Sequence, residues 1–227
     1  MLLDALARNF NLAIFRYDHV ISYLASREVS KEDILKYGIG YNKVVGIPAD
    51  PDPVRGEFIE ATNNGKKFEN KIIFPYKDTL GQVVGFLGRS LEKEYKNFVT
   101  EEAKYSGFFF GLYEALPYIY KIGYVFIVEG CFDCIALAKV FPNTVASMTA
   151  GLSEAQYALL KLYCKKLITV FDSDETGRFA ANKVQGTFQK NVIDVNLVDY
   201  KDPAKCLEVL KLEKFRKYIM NKFPVGL

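Results

Sequence analysis

The clearest capacity for chemistry lies in three carboxylates that terminate apolar runs. Tyr124-Val125-Phe126-Ile127-Val128 stops at Glu129-Gly130, and Leu167-Ile168-Thr169-Val170-Phe171 stops at Asp172-Ser173-Asp174-Glu175-Thr176-Gly177. Short β-branched runs bounded by turn residues read as buried parallel strands, and open α/β sheets place their sites at the carboxyl ends of such strands. Side chains two apart on an extended chain point the same way, so Asp172 and Asp174 can share an ion while Glu129 sits on the adjacent strand end. Like charges gathered at one edge repel, and the natural compensator is a divalent cation with hard oxygen ligands, most simply magnesium, with manganese as the substitute. That set suits one- or two-metal phosphoryl chemistry. A lone Asp-x-Asp would read as a solubilising loop, and it is the pairing with a second acidic strand end that favours a site.

The elements that must position these groups follow from periodicity. From Tyr124 onward strands alternate with helices: strands at 124–128, 143–147, 167–171 and 192–196, helices at 132–140, 153–163 and 176–189. Such alternation implies right-handed βαβ units and a mostly parallel sheet. The end, residues 203–223, reads as one or two short basic helices. Ahead of the sheet, Val20, Ile21 and Leu24 suggest one helix, and Ser30 caps another with Asp33 in its first turn and Gly38 at its end. Residues 44–47 and Phe58-Ile59 read as short strands. Residues 71–76 and 82–89 flank Asp78-Thr79-Leu80-Gly81 as a hairpin. Residues 90–104, dense in Lys and Glu, read on charge alone as a solvated loop.

Composition bounds the rest. With 227 residues, half of them apolar, the chain can bury a substantial core. Its longest apolar runs fall well short of the roughly 18–20 residues that span a bilayer, and its start lacks a signal-peptide pattern, so the expectation is a cytoplasmic protein without membrane contact. The net charge of +3 announces no blanket basic surface, and any nucleic-acid contact must be local. The single histidine, His19, argues against His-based acid-base chemistry or a Ser-His-Asp triad. Cys131 and Cys134 form a C-x-x-C, yet Cys164 and Cys206 are scattered and no second ligand pair exists, so no structural zinc is expected.

Val128-Glu129-Gly130, Phe132-Asp133 and the run from Asp172 to Arg178 together resemble the Toprim domain of DnaG-type bacterial and phage primases, topoisomerases and some nucleases. The wider chain resembles the DnaG-type catalytic core specifically: Tyr23-Leu24 through Arg27, Ile34 and Tyr37-Gly38-Ile39-Gly40-Tyr41 match its start, with Glu28 where the family has glycine. Ile73 to Asp78, Gly81 to Phe86 and Gly88-Arg89 match its central block, Gly111 to Ala115 a further one, and Lys201-Asp202-Pro203 the acidic end of its metal site. The resemblance spans about residues 20–210.

It implies an α/β fold with a Toprim-type, mostly parallel sheet flanked by helices. The expected organisation is a smaller mixed α/β subdomain over 1–118, the Toprim domain over 119–202 and a short helical segment over 203–227. It implies catalytic duties for Glu129, Asp172 and Asp174, metal contacts for these and for Asp133 and Asp202, and nucleotide-phosphate or template contacts for Arg27, Arg89 and Lys96. Lys104 is the nearest substitute for a second lysine, where Ser106 stands in this chain, and Ala204 replaces the second aspartate of the terminal motif. The implied activity is that of a DNA primase, a nucleotidyltransferase making short RNA primers from ribonucleoside triphosphates on single-stranded DNA, aided by a helicase or a separate template-recognition protein. No zinc module or helicase-binding module is recognisable, which suits a minimal core from a virus, plasmid or other mobile element, or a cut-down piece of a longer chain. A Toprim nuclease and a non-catalytic replication module remain the alternatives.

Overall fold

The computed structural model describes residues 1–43, 52–149, 151–188 and 192–223. Two compact units account for them, Met1–Ser106 and Gly107–Leu227.

The first unit opens with α1 (Leu2–Ile14), α2 (Asp18–Ser26) and α3 (Lys31–Tyr37). The expected cap is present as a reciprocal capping box. The Ser30 hydroxyl accepts from the Asp33 N–H at 3.2 Å, the Asp33 carboxylate accepts from the Ser30 N–H at 2.9 Å, and Gly38 ends the helix at φ 70°. β1 (Gly40–Asn42) follows. The next element, α4 (Pro53–Thr62), corrects the expectation of a strand at Phe58-Ile59. Its start is written locally, with Asp52 capping Val54 N–H at 2.9 Å and Pro53 at the first helical position. The strand expected at 44–47 lies outside the described residues.

β2 (Lys71–Lys77) and β3 (Val83–Arg89) form the expected hairpin. The Asp78 carboxylate closes it by accepting from the N–H groups of Leu80 and Gln82, both at 2.9 Å. The charged stretch read as a loop instead holds β4 (Tyr95–Val99) and α5 (Glu101–Ser106). β4 is the outer strand of an antiparallel sheet ordered β1-β2-β3-β4, and only Phe98 and Val99 at its inner end are buried. An edge strand carries charge to resist pairing with other chains, and that same charge masks its period. Leu6 and Phe10 of α1, Phe58 and Phe68 close over Ile73, Phe86 and Phe98 as the core of this unit.

The second unit begins with α6 (Leu112–Ile122), then β5 (Tyr124–Val128), α7 (Cys131–Ala138), β6 (Thr144–Ala146), α8 (Glu154–Lys161), β7 (Lys166–Thr169), α9 (Glu175–Phe188), β8 (Val192–Asp194) and α10 (Pro203–Lys222). Its sheet is parallel throughout, ordered β6-β5-β7-β8. Strands buried on both faces need apolar residues on both. Val125, Ile127 and Leu167 pack under Leu116 and Ile119 of α6 and Ala180 and Val184 of α9. On the other face Phe126 stacks on Phe141 at 4.3 Å and meets Phe223 edge-on at 5.0 Å. α6 contributes to the core of the parallel sheet, and the compact units divide at Ser106/Gly107, with α10 in the second. α10 breaks at Lys211 (φ 58°, ψ 164°), giving the two short helices.

Glu28 follows α2 with φ 58°. A side chain in the left-handed region costs on the order of 1 kcal/mol, less what its greater stiffness returns in the unfolded chain. Glu28→Gly is expected to raise unfolding free energy by about 0.5 kcal/mol, read as a higher urea midpoint at unchanged slope.

Candidate functional site

β5 and β7 run side by side in register, Tyr124 opposite Lys166 through Ile127 opposite Thr169. The carboxyl ends of the two strands therefore deliver Glu129 and Asp172 to the same edge. Their contact is specific: a Glu129 carboxylate oxygen accepts the backbone N–H of Asp172 at 3.1 Å. Burial, and next the charge of Asp172, push the Glu129 carboxyl above the usual carboxylate range. Asp172 is raised too, again by burial first, with Lys201 opposing the shift. Asp174 is exposed and behaves oppositely: the N–H of Gly177, at 3.1 Å, holds its carboxyl below the usual range.

The Lys201 ammonium stands between the two aspartates, 3.2 Å from Asp172 Oδ2 and 3.6 Å from Asp174 Oδ2. Nothing in local spacing predicts this role for Lys201. The loop carrying it is anchored from the acidic loop itself. The Ser173 N–H donates to the Lys201 carbonyl at 2.7 Å, and the Ser173 hydroxyl reaches the Tyr200 and Lys201 carbonyls at 2.9 and 3.1 Å.

Asp133, in the first turn of α7, faces the start of α10 and also feels the charge of Asp172. Its Oδ1 accepts the N–H of Ala204 at 3.1 Å. Burial, then the charge of Asp202, lifts its carboxyl well above the ordinary range. Asp202 itself caps α10, accepting the N–H of Lys205 at 2.6 Å. Ala204 is buried, so the position where the family carries an aspartate serves here through its backbone N–H.

Two features that sequence reading missed hold the edge in shape. Arg178 donates to the carbonyls of Phe171 (3.0 Å) and Asp172 (3.2 Å) and pairs with Asp194 at 2.6 Å. Asp194 in turn accepts from the Thr169 hydroxyl at 2.8 Å. This guanidinium bridges the end of β7 to β8 and fixes the direction in which the acidic loop leaves the sheet. Gly177 is the second: a β-carbon there would lie 2.1 Å from the Asp172 carbonyl oxygen, so α9 can begin this close to the strand only at a residue without a side chain.

Among the described residues no group of three or more His, Cys, Asp and Glu side chains is arranged as a ready metal-holding set. The donor chemistry nonetheless suits a hard divalent cation, because Asp172 and Asp174 already draw a positive group between them. In the C-x-x-C, Cys131 and Cys134 are buried, and the Cys134 thiol donates to the Thr144 carbonyl at 3.4 Å. Burial pushes the Cys206 thiol up to about 12 and the Cys164 thiol up to about 11.

The basic candidates lie in the first unit. Arg27 follows the last turn of α2 and is half-buried. Arg89 is only 3% exposed, its Nε donating to the Tyr95 hydroxyl at 2.9 Å and its Nη1 to the Tyr23 hydroxyl, with both rings beside the guanidinium at 5.4–5.5 Å. Two aromatic neighbours and this burial leave the guanidinium little open surface. Lys96 shares Glu94 with Lys71, each at 2.9 Å, and exposed Lys104 pairs with Glu101.

Residues 126–207 match a family model described as Toprim-like. The chain is 29% identical over 221 residues to the DNA primase of Thermotoga maritima, covering 88% of this chain and 39% of that protein. Against the DNA primase of Aquifex aeolicus it is 26% identical over 238 residues, covering 96% and 48%. It thus spans less than half the length of these relatives. A solved DnaG catalytic core superimposes with a TM-score of 0.81 at 24% identity, over 98% of this chain and 79% of that one. The RNA polymerase domain of Mycobacterium tuberculosis primase DnaG, solved with a double-stranded DNA oligomer bearing a 6-nucleotide overhang, gives 0.76 at 25% identity over 98% and 79%. The chain has the fold of a DnaG catalytic core and resembles that family along nearly its whole length, with a Toprim-like segment at its parallel sheet.

Removing the clamp should be costly. Arg178→Ala leaves Asp194 half-buried without its cation and two carbonyls without their donor, so about 2–4 kcal/mol of stability should be lost in urea unfolding. Gly177→Ala should lose about 1–3 kcal/mol through the backbone clash alone.

Proposed function

We propose that this chain is the catalytic core of a DNA primase, joining ribonucleotides on single-stranded DNA by metal-dependent nucleotidyl transfer. The observation that carries this reading is the edge where Glu129 grips the backbone of Asp172 while Asp172 and Asp174 share one cation. A Toprim-like match over residues 126–207, which include Glu129, Asp172 and Asp174, and relatives named DNA primase support it.

In this reading Asp172 and Asp174 would hold magnesium or manganese, with Asp133 supporting from the first turn of α7 and Asp202 from the start of α10. A divalent ion bound there supplies charge neutralisation at the phosphate and acidifies the attacking hydroxyl. The chain's own contributions are positional. Arg178 and Gly177 keep the two aspartates on one side of the sheet end. Glu129, raised by its burial, takes the proton of the attacking 3′-hydroxyl as the new phosphodiester forms and pyrophosphate departs. The Lys201 ammonium, 3.2 and 3.6 Å from the two aspartates, is the chain's own cation at this edge and would be a donor to phosphate oxygens. Arg27, Lys96 and Lys104 are the candidates for template or triphosphate contact, while Arg89 orients Tyr23 and Tyr95. A helicase or template-recognition partner completes the reading.

The test is de novo synthesis from labelled ribonucleoside triphosphates over a library of single-stranded templates, with magnesium and with manganese. The native chain should yield short RNA, and Asp174→Ala should lower the yield by about 100-fold or more, the scale on which charge-stabilising groups act. Absence of product on every template, or product indifferent to Asp174→Ala, overturns the reading.

A further inference from the structure

The parallel sheet has a second edge, formed by the amino ends of β5 and β7, that the proposed chemistry does not use. Tyr124 and Lys166 are the first register pair there, and the Lys165 N–H donates to the Gly123 carbonyl at 2.8 Å, tying the two approaches together. A cavity of about 660 Å³ opens at this edge, lined by Tyr120, Lys121, Tyr124, Lys161, Tyr163 and Lys165 among others. A smaller one of about 380 Å³ adjoins it, sharing Lys161 and Lys165.

The chemistry of this edge is one-sided. Residues 115–128 and 155–171 contain Lys121, Lys161, Lys165 and Lys166 and no Asp or Glu, in a chain whose net charge is only +3. All four lysines are exposed, and among the described residues none is ion-paired. Cations at helix carboxyl ends offset the helix dipole, which accounts for Lys121 on α6 and Lys161 on α8. It does not account for Lys165 and Lys166, which belong to neither helix, nor for the rings between them. Tyr120 is 64% exposed and meets Tyr163 edge-on at 5.4 Å. Unpaired ammonium groups spaced around one exposed ring, Tyr120, and one partly exposed ring, Tyr163, are what a flexible anionic strand with stackable bases recognises: the lysines take phosphates and the rings take bases.

We propose that the amino-terminal edge of the parallel sheet is a second binding surface for single-stranded nucleic acid, centred on Tyr120 and Tyr163 and flanked by Lys121, Lys161, Lys165 and Lys166. It lies on the opposite end of β5 and β7 from Glu129 and Asp172, and so engages a stretch of strand other than the one at the acidic edge. It stands whether or not the chain synthesises primers.

The test uses the full chain with fluorescein-labelled oligo-dT and oligo-rU, read by anisotropy across a salt series, together with photocrosslinking to iodouracil-substituted versions of both. Combined Lys161→Glu, Lys165→Glu and Lys166→Glu should weaken binding at least tenfold at low salt. It should also reduce the slope of log K against log salt by about 2, near 0.7 for each lost phosphate contact. Tyr120→Ala, a fully surface change, should weaken binding about tenfold and needs no charge reversal. Crosslinks should map to peptides holding Tyr120 or Tyr163, and the two oligonucleotides distinguish DNA from RNA as the occupant. Unchanged affinity and slope in both variants, crosslinks confined to other peptides, or displacement of the oligonucleotide by polyglutamate at equal charge concentration overturns the proposal. Crosslinks at Tyr120 or Tyr163 in a protein that makes no primers sink the primase reading and leave this one intact.

Discussion

Everything at the carboxyl edge of the parallel sheet answers to one constraint: negative charges are crowded where the surroundings solvate them poorly. Glu129, Asp133 and Asp172 are all pushed toward their neutral forms, and burial is the leading cause for each. The fold relieves the crowding with backbone N–H groups, one from Asp172 for Glu129, one from Gly177 for Asp174 and one from Ala204 for Asp133. What those dipoles leave uncompensated falls to Lys201. The loop conformations, the closeness of α9 to its strand and the placement of the α10 start all serve these few donors.

The sheet and its acidic termini were legible in the sequence because they are local. Apolar runs five residues long, ending in turn residues, specify buried strands, and Asp-x-Asp after one and Glu-Gly after the other specify what the strands carry. The missed groups are those whose meaning is set by pairing across distance. Arg178 acquires its role from Asp194, a partner on a different strand, and Lys201 from a loop that Ser173 ties down. No periodicity encodes either. In the first unit the errors came from two opposed signals. Phe58-Ile59 looked like a strand until Asp52 and Asn63 are seen to cap a helix at both ends, and β4 was hidden by the charges that an exposed edge requires.

Arg89 shows how a motif position can match while its setting changes what the residue can do. An arginine in a block shared with primases invites a phosphate contact, yet here the guanidinium is enclosed by two tyrosines and nearly inaccessible. Its fixed fork of donors suits it equally to locking aromatic side chains, and burial decides between the two roles. Lys96 and Lys104 pair with the exposed Glu94 and Glu101, and such pairs exchange readily with other anions.

β8 is three residues long, lies at the border of its sheet and holds Asp194, the partner of Arg178. Border strands of this length detach before the centre of a sheet does. Each such detachment withdraws the anion from Arg178 and, through it, loosens the carbonyls of Phe171 and Asp172. The lifetime of an ordered acidic edge is therefore capped by the opening rate of an outer strand that carries none of its carboxylates, and slow exchange of the β8 amides becomes a proxy for how long the edge stays assembled.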